Sequence, residues 1–146
     1  MGLFSFVKDA GKKLFGRDEE PEADGKALET EVKDLGLQAE DLKVERQGSK
    51  VRIKGKAKTQ AEREKVILAV GNVEGVEEVE EDITVDEPAA EPVFYTVEKG
   101  DTLSGIAKET LGNGNKYMAI FEANKPMLSD PDKIYPGQKL RIPAAD

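Results

Sequence analysis

The side chains that could carry acid–base chemistry are mainly carboxylates, because the 146-residue chain contains neither cysteine nor histidine. Thiolate nucleophiles, Cys/His zinc sites and imidazole general bases are therefore excluded. The densest carboxylates form the run Glu77-Glu78-Val79-Glu80-Glu81-Asp82, which alternates as a surface strand does. Such a run is typical of a solvated face rather than of a catalytic pair. The sequence therefore predicts that the protein is not an enzyme.

The formal net charge of −8 is unevenly distributed, with +3 over residues 1–17, −11 over residues 18–91 and zero over residues 92–146. A nucleic-acid surface needs clustered Lys and Arg, so the acidic middle argues against a nucleic-acid partner. Charges interrupt the apolar start of the chain too early for an export signal, and no stretch is long enough for a transmembrane helix. We therefore expect a cytoplasmic monomer without membrane association.

The first residues are predicted to form an amphipathic helix. Residues 3–15 place their apolar side chains mostly on one helical face and lysines on the other, and Gly11 and Gly16 interrupt or end the pattern. Such a helix could lie on a membrane surface or dock on the protein, and its shortness and weak positive charge favour docking. Residues 1–23 are thus predicted to be this helix followed by a polar linker.

Residues 24–86 follow an α-β-β-α-β pattern. Apolar residues at helical spacing precede Gly36, and a predicted hairpin turns at Gln47-Gly48-Ser49. Thr59-Gln60-Ala61-Glu62 is a capping box for a second helix, which ends at Gly71 before a final strand. The stretches 51–55 and 70–76 make this unit resemble a BON domain. The resemblance implies a phospholipid or osmotic-stress role.

Residues 87–92 form a Pro/Ala/acid linker, and residues 93–146 follow a β-α-α-β pattern. A strand leads into Gly100-Asp101-Thr102, where Asp101 or Thr102 can cap the next helix. Tyr135-Pro136-Gly137-Gln138 is a turn into the closing strand. This segment resembles a LysM domain, a module that most often binds N-acetylglucosamine polymers. The fold class is therefore predicted to be α+β, with two small domains.

The LysM resemblance implies a shallow sugar groove between the first strand–helix turn and the second helix–strand loop. The implied groove residues are Gly100, Asp101, Thr102 and Leu103 on one side, and Asn124, Pro126, Met127 and Ile134 on the other. An alternative stays open at this point. Asp101 and Thr102 could serve only as caps, and Leu103 and Ile134 only as packing residues.

The order of the two units carries a further resemblance. The chain start at residues 1–11 is followed by a BON unit and then a LysM unit. With residues 66–75 and 121–137, this order resembles the bacterial potassium-binding proteins almost end to end, and residues 12–48 are the most divergent. That resemblance implies a cytoplasmic sensor that binds K⁺ and becomes more compact on doing so, linked to osmotic or potassium stress. The alternative is an N-acetylglucosamine- or peptidoglycan-binding protein.

If K⁺ binds, main-chain carbonyl groups are its expected ligands. Selective K⁺ sites replace the hydration shell with neutral carbonyl oxygens, whereas clustered carboxylates favour Ca²⁺ or Mg²⁺. The final carbonyls of a helix lack intrahelical partners, and glycines break two predicted helix ends, at residues 7–12 and 70–76. The two ends converge if the first helix docks against the turn after the second BON helix. The hypothesised ligands are the carbonyls of Val7, Ala10, Lys12, Gly71, Val73 and Val76.

The alternative is that both glycine breaks are ordinary helix stops. The ligand that the family resemblance implies is K⁺. An unidentified protein partner could meet a surface that ion binding releases.

Overall fold

The computed structural model describes residues 2–14, 21–86 and 93–143, which fold into two α+β units, as predicted. The first unit contains β1 (Gly2–Ser5), α1 (Pro21–Asp34), β2 (Glu40–Gln47), β3 (Lys50–Ala57), α2 (Gln60–Gly71) and β4 (Glu78–Val85). The second contains β5 (Phe94–Thr96), α3 (Leu103–Leu111), a 3₁₀ turn (Gly114–Lys116), α4 (Tyr117–Ala123) and β6 (Lys139–Arg141). No helix in these ranges is long and apolar enough to cross a membrane.

The first unit is a four-stranded sheet in the order β1-β4-β3-β2, with α1 and α2 packed against it. β3 and β4 are parallel, and the two outer pairs are antiparallel. Alternation along β3 buries Val51 and Ile53 and exposes Arg52 and Lys54, as the sequence pattern predicts. The crossover between the parallel strands is α2, so the end of α2 is brought to the amino-terminal end of β4.

The capping box predicted before α2 is present, because the Thr59 hydroxyl accepts a hydrogen bond from the Glu62 N–H at 3.2 Å. From Val66 to Gly71 every residue of α2 is buried. Burial on all sides indicates that α2 packs against more than the sheet. The second unit supplies the additional contact, since β6 lies against α2.

The predicted amino-terminal helix is wrong over the described residues, because Gly2–Ser5 forms the edge strand β1, paired antiparallel with β4. In this strand the residue pairs Phe4–Val79 and Leu3–Glu80 lie opposite each other. The alternation turns Phe4 and Phe6 toward the core and Leu3 toward solvent. The segment forms a strand because the open edge of β4 offers main-chain hydrogen-bond partners, which a helix would leave unpaired. The segment is nevertheless docked on the protein, as expected.

The second unit pairs β5 with β6 antiparallel and packs its helices on this ribbon, which confirms the β-α-α-β prediction. Thr102 caps α3 by accepting from the Gly105 N–H at 3.0 Å. Gly112, at φ +79°, ends the helix in a left-handed conformation that suits glycine. The core of this unit is centred on Ile106, Ile120 and Leu140, each at most 1% exposed.

Candidate functional site

Residues 6–12 and 71–77 lie side by side and are held together by main-chain hydrogen bonds; we call them the paired segments. The Phe6 N–H donates to the Glu77 carbonyl at 2.7 Å, and the Lys12 N–H donates to the Asn72 carbonyl at 3.0 Å. In the other direction, the Lys12 carbonyl accepts from the Glu74 N–H at 2.9 Å and the Lys8 carbonyl accepts from the Gly75 N–H at 2.7 Å. The chain start and the turn after α2 therefore form one local structure.

Two glycines allow this close approach. Gly11 has φ +109°, and a Cβ there would lie 2.4 Å from the Asn72 carbonyl oxygen. A Cβ on Gly71 would lie 2.0 Å from the ring of Phe6. Both distances are well below van der Waals contact, so larger residues would separate the segments. The two glycines that the sequence suggested as helix breaks are thus positions of close contact between the paired segments.

All six hypothesised ligand residues lie in the paired segments, and three of their carbonyl groups already accept one hydrogen bond. The Val7 carbonyl accepts from Ala10 at 3.2 Å, Lys12 accepts from Glu74 at 2.9 Å, and Val73 accepts from Val76 at 3.1 Å. A carbonyl oxygen has two lone pairs, so each retains capacity for a second partner.

The other three carbonyl groups, those of Ala10, Gly71 and Val76, accept no hydrogen bond from any residue that the structure describes. Val76 is 0% exposed, so water does not reach its oxygen from the surface. Buried main-chain carbonyl groups are nearly always paired, with protein, water or another donor. The Val76 oxygen is therefore a buried acceptor without a partner among the described residues.

Two lysine ammonium groups lie near the paired segments. The Lys12 ammonium is paired with the Glu31 carboxylate at 2.7 Å, and the Lys139 ammonium lies 5.1 Å from the centre of the Phe6 ring. Burial lowers the pKa of Lys139 from its ordinary value. Within residues 2–14, 21–86 and 93–143, no group of three or more acidic, His or Cys side chains could hold a metal ion. The local donor set is therefore neutral, which suits K⁺ better than Ca²⁺.

The second unit covers the paired segments. A Cβ on Gly137 would lie 2.7 Å from the Cβ of Ala10 and 3.1 Å from that of Val7. The Asn72 side chain donates to the Lys139 carbonyl at 2.7 Å and accepts from the Lys139 N–H at 2.9 Å. The sequence did not predict these contacts, because Asn72 and Gly137 both lie in predicted turns and carry no other local signal.

A second candidate is a surface cavity of about 350 Å³ on the LysM-like unit. Four of the eight expected groove residues line it, namely Asp101, Thr102, Leu103 and Ile134. Ser104, Tyr117, Pro131 and Asp132 also line it and were not anticipated. Tyr117 is exposed, so an aromatic face at this cavity could have been suspected from its position at the start of α4.

The remaining expected groove residues lie elsewhere. Asn124 is 2% exposed, and its side chain bonds the Ile120 carbonyl at 2.8 Å and both main-chain groups of Arg141 at 2.8 and 2.9 Å. Met127 packs against the core of the first unit. Gly100 and Pro126 are exposed and do not line the cavity. Asn124 is therefore a structural residue in this chain, and Met127 belongs to the contact between the two units.

The turn beside the groove is bridged by one carboxylate oxygen, Oδ2 of Asp101. Its carboxylate accepts from the Tyr95 hydroxyl and from the Glu98 N–H, both at 2.8 Å. The hydrogen bond to Asp101, together with burial and nearby acidic charge, raises the pKa of Tyr95 to about 12. The carboxylate thus positions the strand–helix turn.

Comparison with protein families identifies both units. A BON domain model matches residues 25–87, and a LysM domain model matches residues 95–143. The potassium binding protein Kbp of Escherichia coli O6:H1 strain CFT073 is 44% identical over 149 aligned positions, which cover 98% of this chain and 99% of that protein.

Other relatives match over a single region. The uncharacterised protein YqbP of Bacillus subtilis strain 168 is 39% identical over 36% of this chain and 28% of its own length. LysM domain-containing GPI-anchored protein 2 of Arabidopsis thaliana is 45% identical over 35% of this chain and 14% of its own length. These matches cover only part of the chain. The order of the two domains in one chain is supported by the E. coli relative, which aligns over nearly the full length.

Proposed function

We propose a function from the premise that this chain belongs to the family of the potassium binding protein Kbp and has a BON domain followed by a LysM domain. The proposal is that the protein is a non-enzymatic, monomeric K⁺ sensor of the cytoplasm. It binds K⁺, becomes more compact, and thereby responds to potassium or osmotic stress. An unidentified protein would receive the signal.

The observation that carries the proposal is the carbonyl group of Val76, which is buried and accepts no hydrogen bond from the described part of the chain. The unpaired carbonyls of Ala10 and Gly71 lie in the same paired segments. The carbonyls of Val7, Lys12 and Val73 have one lone pair left each. Main-chain oxygens of these residues would hold the ion without any carboxylate, which favours a large monovalent cation.

Compaction follows if the ion requires both segments together. Residues 6–12 are hydrogen-bonded to residues 72–75 of the BON domain on one side. On the other side they lie against Gly137 of the LysM domain. A cation that ligates both segments stabilises the arrangement in which the LysM domain packs on them. Ion binding and domain docking are then thermodynamically linked.

The test is a titration of the full chain with KCl, NaCl, MgCl₂ and CaCl₂ at matched ionic strength. Small-angle scattering follows compaction, and amide NMR locates the responding residues. We expect saturable K⁺-dependent changes at residues 7–12 and 71–76, with a smaller radius of gyration. A response of equal size to Na⁺, or none to K⁺, contradicts the proposal.

A variant sharpens this test. Deleting residues 1–12 is expected to abolish K⁺ binding, but it also removes β1 and Phe6 from the sheet and core. Gly11→Ala is the better variant, because its Cβ would press on the Asn72 carbonyl oxygen from 2.4 Å while β1 stays intact. Gly48→Ala is the matched control, since Gly48 also has positive φ but a Cβ there would meet nothing within 4 Å. K⁺ binding should be weakened by the first substitution only.

The second candidate function is binding of N-acetylglucosamine polymers or peptidoglycan. The cavity lined by Asp101, Leu103, Tyr117 and Ile134 favours it, because an exposed aromatic ring beside polar groups suits a sugar. Titration with soluble peptidoglycan fragments tests it. Saturable amide shifts at residues 101–104 and 131–134 would support it, and their absence at high fragment concentration would reject it.

A further inference from the structure

A cavity of about 280 Å³ lies between the two domains and is separate from the sugar groove. Its walls come from the end of α1, from α2, from the segment containing Lys12, and from residues 127–138 of the LysM domain. The volume equals that of about nine water molecules at ~30 Å³ each, and it falls just below the ~300–1,000 Å³ of drug-sized ligand sites. A ligand of this cavity must therefore be small.

The apolar part of the wall consists of Leu35, Leu68, Ala69, Met127 and Leu128. It combines residues from both domains, so the cavity exists only when the domains are docked. Such a surface suits a compact apolar group, such as a short branched chain or a single ring.

The polar part of the wall presents hydrogen-bond donors. The Lys133 ammonium forms no ion pair with any residue in the described ranges, and the hydroxyl groups of Ser129 and Tyr135 donate to none of them. Burial raises the pKa of Tyr135, so its hydroxyl keeps its proton at neutral pH.

Several other polar groups of the wall already have partners. Glu31 is neutralised by Lys12 at 2.7 Å, and the Asn72 amide is bonded to Lys139. The Gln138 side-chain oxygen accepts from the Tyr135 N–H at 3.3 Å. Within the described residues the wall therefore keeps one unpaired ammonium, that of Lys133, and three neutral donors, the hydroxyls of Ser129 and Tyr135 and the amide nitrogen of Gln138. This set complements a single negative charge.

We propose that this interdomain cavity binds a compact organic monoanion, a carboxylate with a small apolar body. The carboxylate pairs with Lys133 and accepts from Ser129 or Tyr135, and the apolar body lies against Leu35 and Met127. Because the ligand contacts both domains, it stabilises their docked arrangement.

The test uses sodium benzoate as the probe and the full chain at constant ionic strength, with amide NMR as readout. We expect saturable shifts at Gly11, Leu68 and Leu128. Lys133→Gln should weaken benzoate binding about tenfold, as expected for loss of a charge-assisted hydrogen bond. Lys99→Gln, which removes an exposed lysine from the same domain outside the cavity, should leave binding unchanged. Both lysines are exposed, so both variants are expected to fold.

A neutral probe of the same shape, benzyl alcohol, should bind about tenfold more weakly than benzoate, since it lacks the charge. The inference is overturned if benzoate shows no saturable shift at these amides. It is also overturned if Lys133→Gln binds benzoate as tightly as the natural chain does, or if benzyl alcohol binds equally well.

One consequence of the inference rests on the proposed K⁺ function. Gly11, Lys12 and Asn72 line the cavity and also belong to the paired segments, so benzoate should raise the apparent K⁺ affinity and K⁺ should raise the benzoate affinity by the same factor. The two proposals fail in distinguishable ways. Benzoate binding without K⁺ binding overturns the proposed function alone, and K⁺ binding without benzoate binding overturns the cavity assignment alone.

Discussion

Asn72 and Lys139 are 67 residues apart in sequence, yet the Asn72 side chain holds both main-chain groups of Lys139. Its amide nitrogen donates to the Lys139 carbonyl at 2.7 Å, and its oxygen accepts from the Lys139 N–H at 2.9 Å. The carbonyl of Asn72 itself accepts from the Lys12 N–H at 3.0 Å. One residue at the end of α2 therefore joins the chain start to the closing strand of the LysM domain.

Asn72→Ala should lower the free energy of unfolding by about 1–3 kcal/mol, because it leaves two main-chain groups of Lys139 without partners at a half-buried position. It should also reduce the increase in stability that K⁺ produces, since the paired segments lose their tie to the LysM domain. Urea unfolding with and without KCl measures both effects. Asn115→Ala, at an exposed position, serves as the control. Equal stability of the two variants would show that the Asn72 bonds contribute nothing to docking.

Glu64 and Arg141 form an ion pair between the two domains at 2.9 Å, with side chains 6% and 19% exposed. Removing one partner of such a pair leaves an uncompensated charge at the interface. Arg141→Met should therefore destabilise the protein by up to about 3–5 kcal/mol. Replacing both residues, Glu64→Leu with Arg141→Met, should recover much of that loss. Urea unfolding of the two single variants and the double variant gives the coupling energy. A coupling energy near zero would mean that the pair is solvated in solution.

The elements with local sequence determinants were predicted correctly. α2 has Thr59 as its cap and a glycine at its end, and β3 has a strict alternation around Val51 and Ile53, so both can be recognised from residues close in sequence. The same holds for α3, which lies between the Thr102 cap and Gly112. Caps and periodicity act within a few residues, which is why the two-domain α+β architecture could be predicted.

The start of the chain could not be predicted in this way. Leu3-Phe4-Ser5-Phe6 satisfies both a helical face and a strand alternation, and the decision is made by the free edge of β4. The interdomain contacts likewise depend on which surfaces of the two folded domains meet. No local sequence pattern marks Asn72 or Gly137 as contact residues. The six hypothesised K⁺ ligands stay a prediction. The structure brings their residues together through main-chain hydrogen bonds between two loop segments rather than through a docked helix.

Gly71→Ala should disrupt the paired segments from the α2 side. The new Cβ would lie 2.0 Å from the Phe6 ring, so Phe6 must leave its buried position or α2 must shift. Overpacking of this kind costs about 1–3 kcal/mol, and the displaced residues 6–12 should no longer respond to K⁺. Gly105→Ala in α3 is the control, because its nearest contact is the Thr102 hydroxyl at 3.2 Å. Amide NMR and urea unfolding report the two effects. A full K⁺ response in Gly71→Ala would place the ion away from these segments.

Tyr95 should make the LysM domain sensitive to high pH. Its hydroxyl donates to Asp101 at 2.8 Å, and this bond is the main reason that its pKa is raised to about 12. The unfolded chain ionises this tyrosine near pH 10, roughly the unperturbed value. Because the folded pKa is the higher one, the stabilisation is complete below about pH 10 and is lost as pH rises through about 12.

Tyr95→Phe should therefore be less stable than the natural chain at neutral pH and should lose less stability across that alkaline window. The difference arises because phenylalanine has no proton to release, whereas Lys side chains titrate equally in both proteins. Urea unfolding at a series of pH values measures the slope. Tyr117→Phe, at an exposed position on the same domain, is the matched control and should keep the slope of the natural chain. If Tyr95→Phe shows an unchanged slope, the bond to Asp101 does not persist in solution, and the hydrogen bonds between Glu98 and Asp101 must hold the groove turn without it.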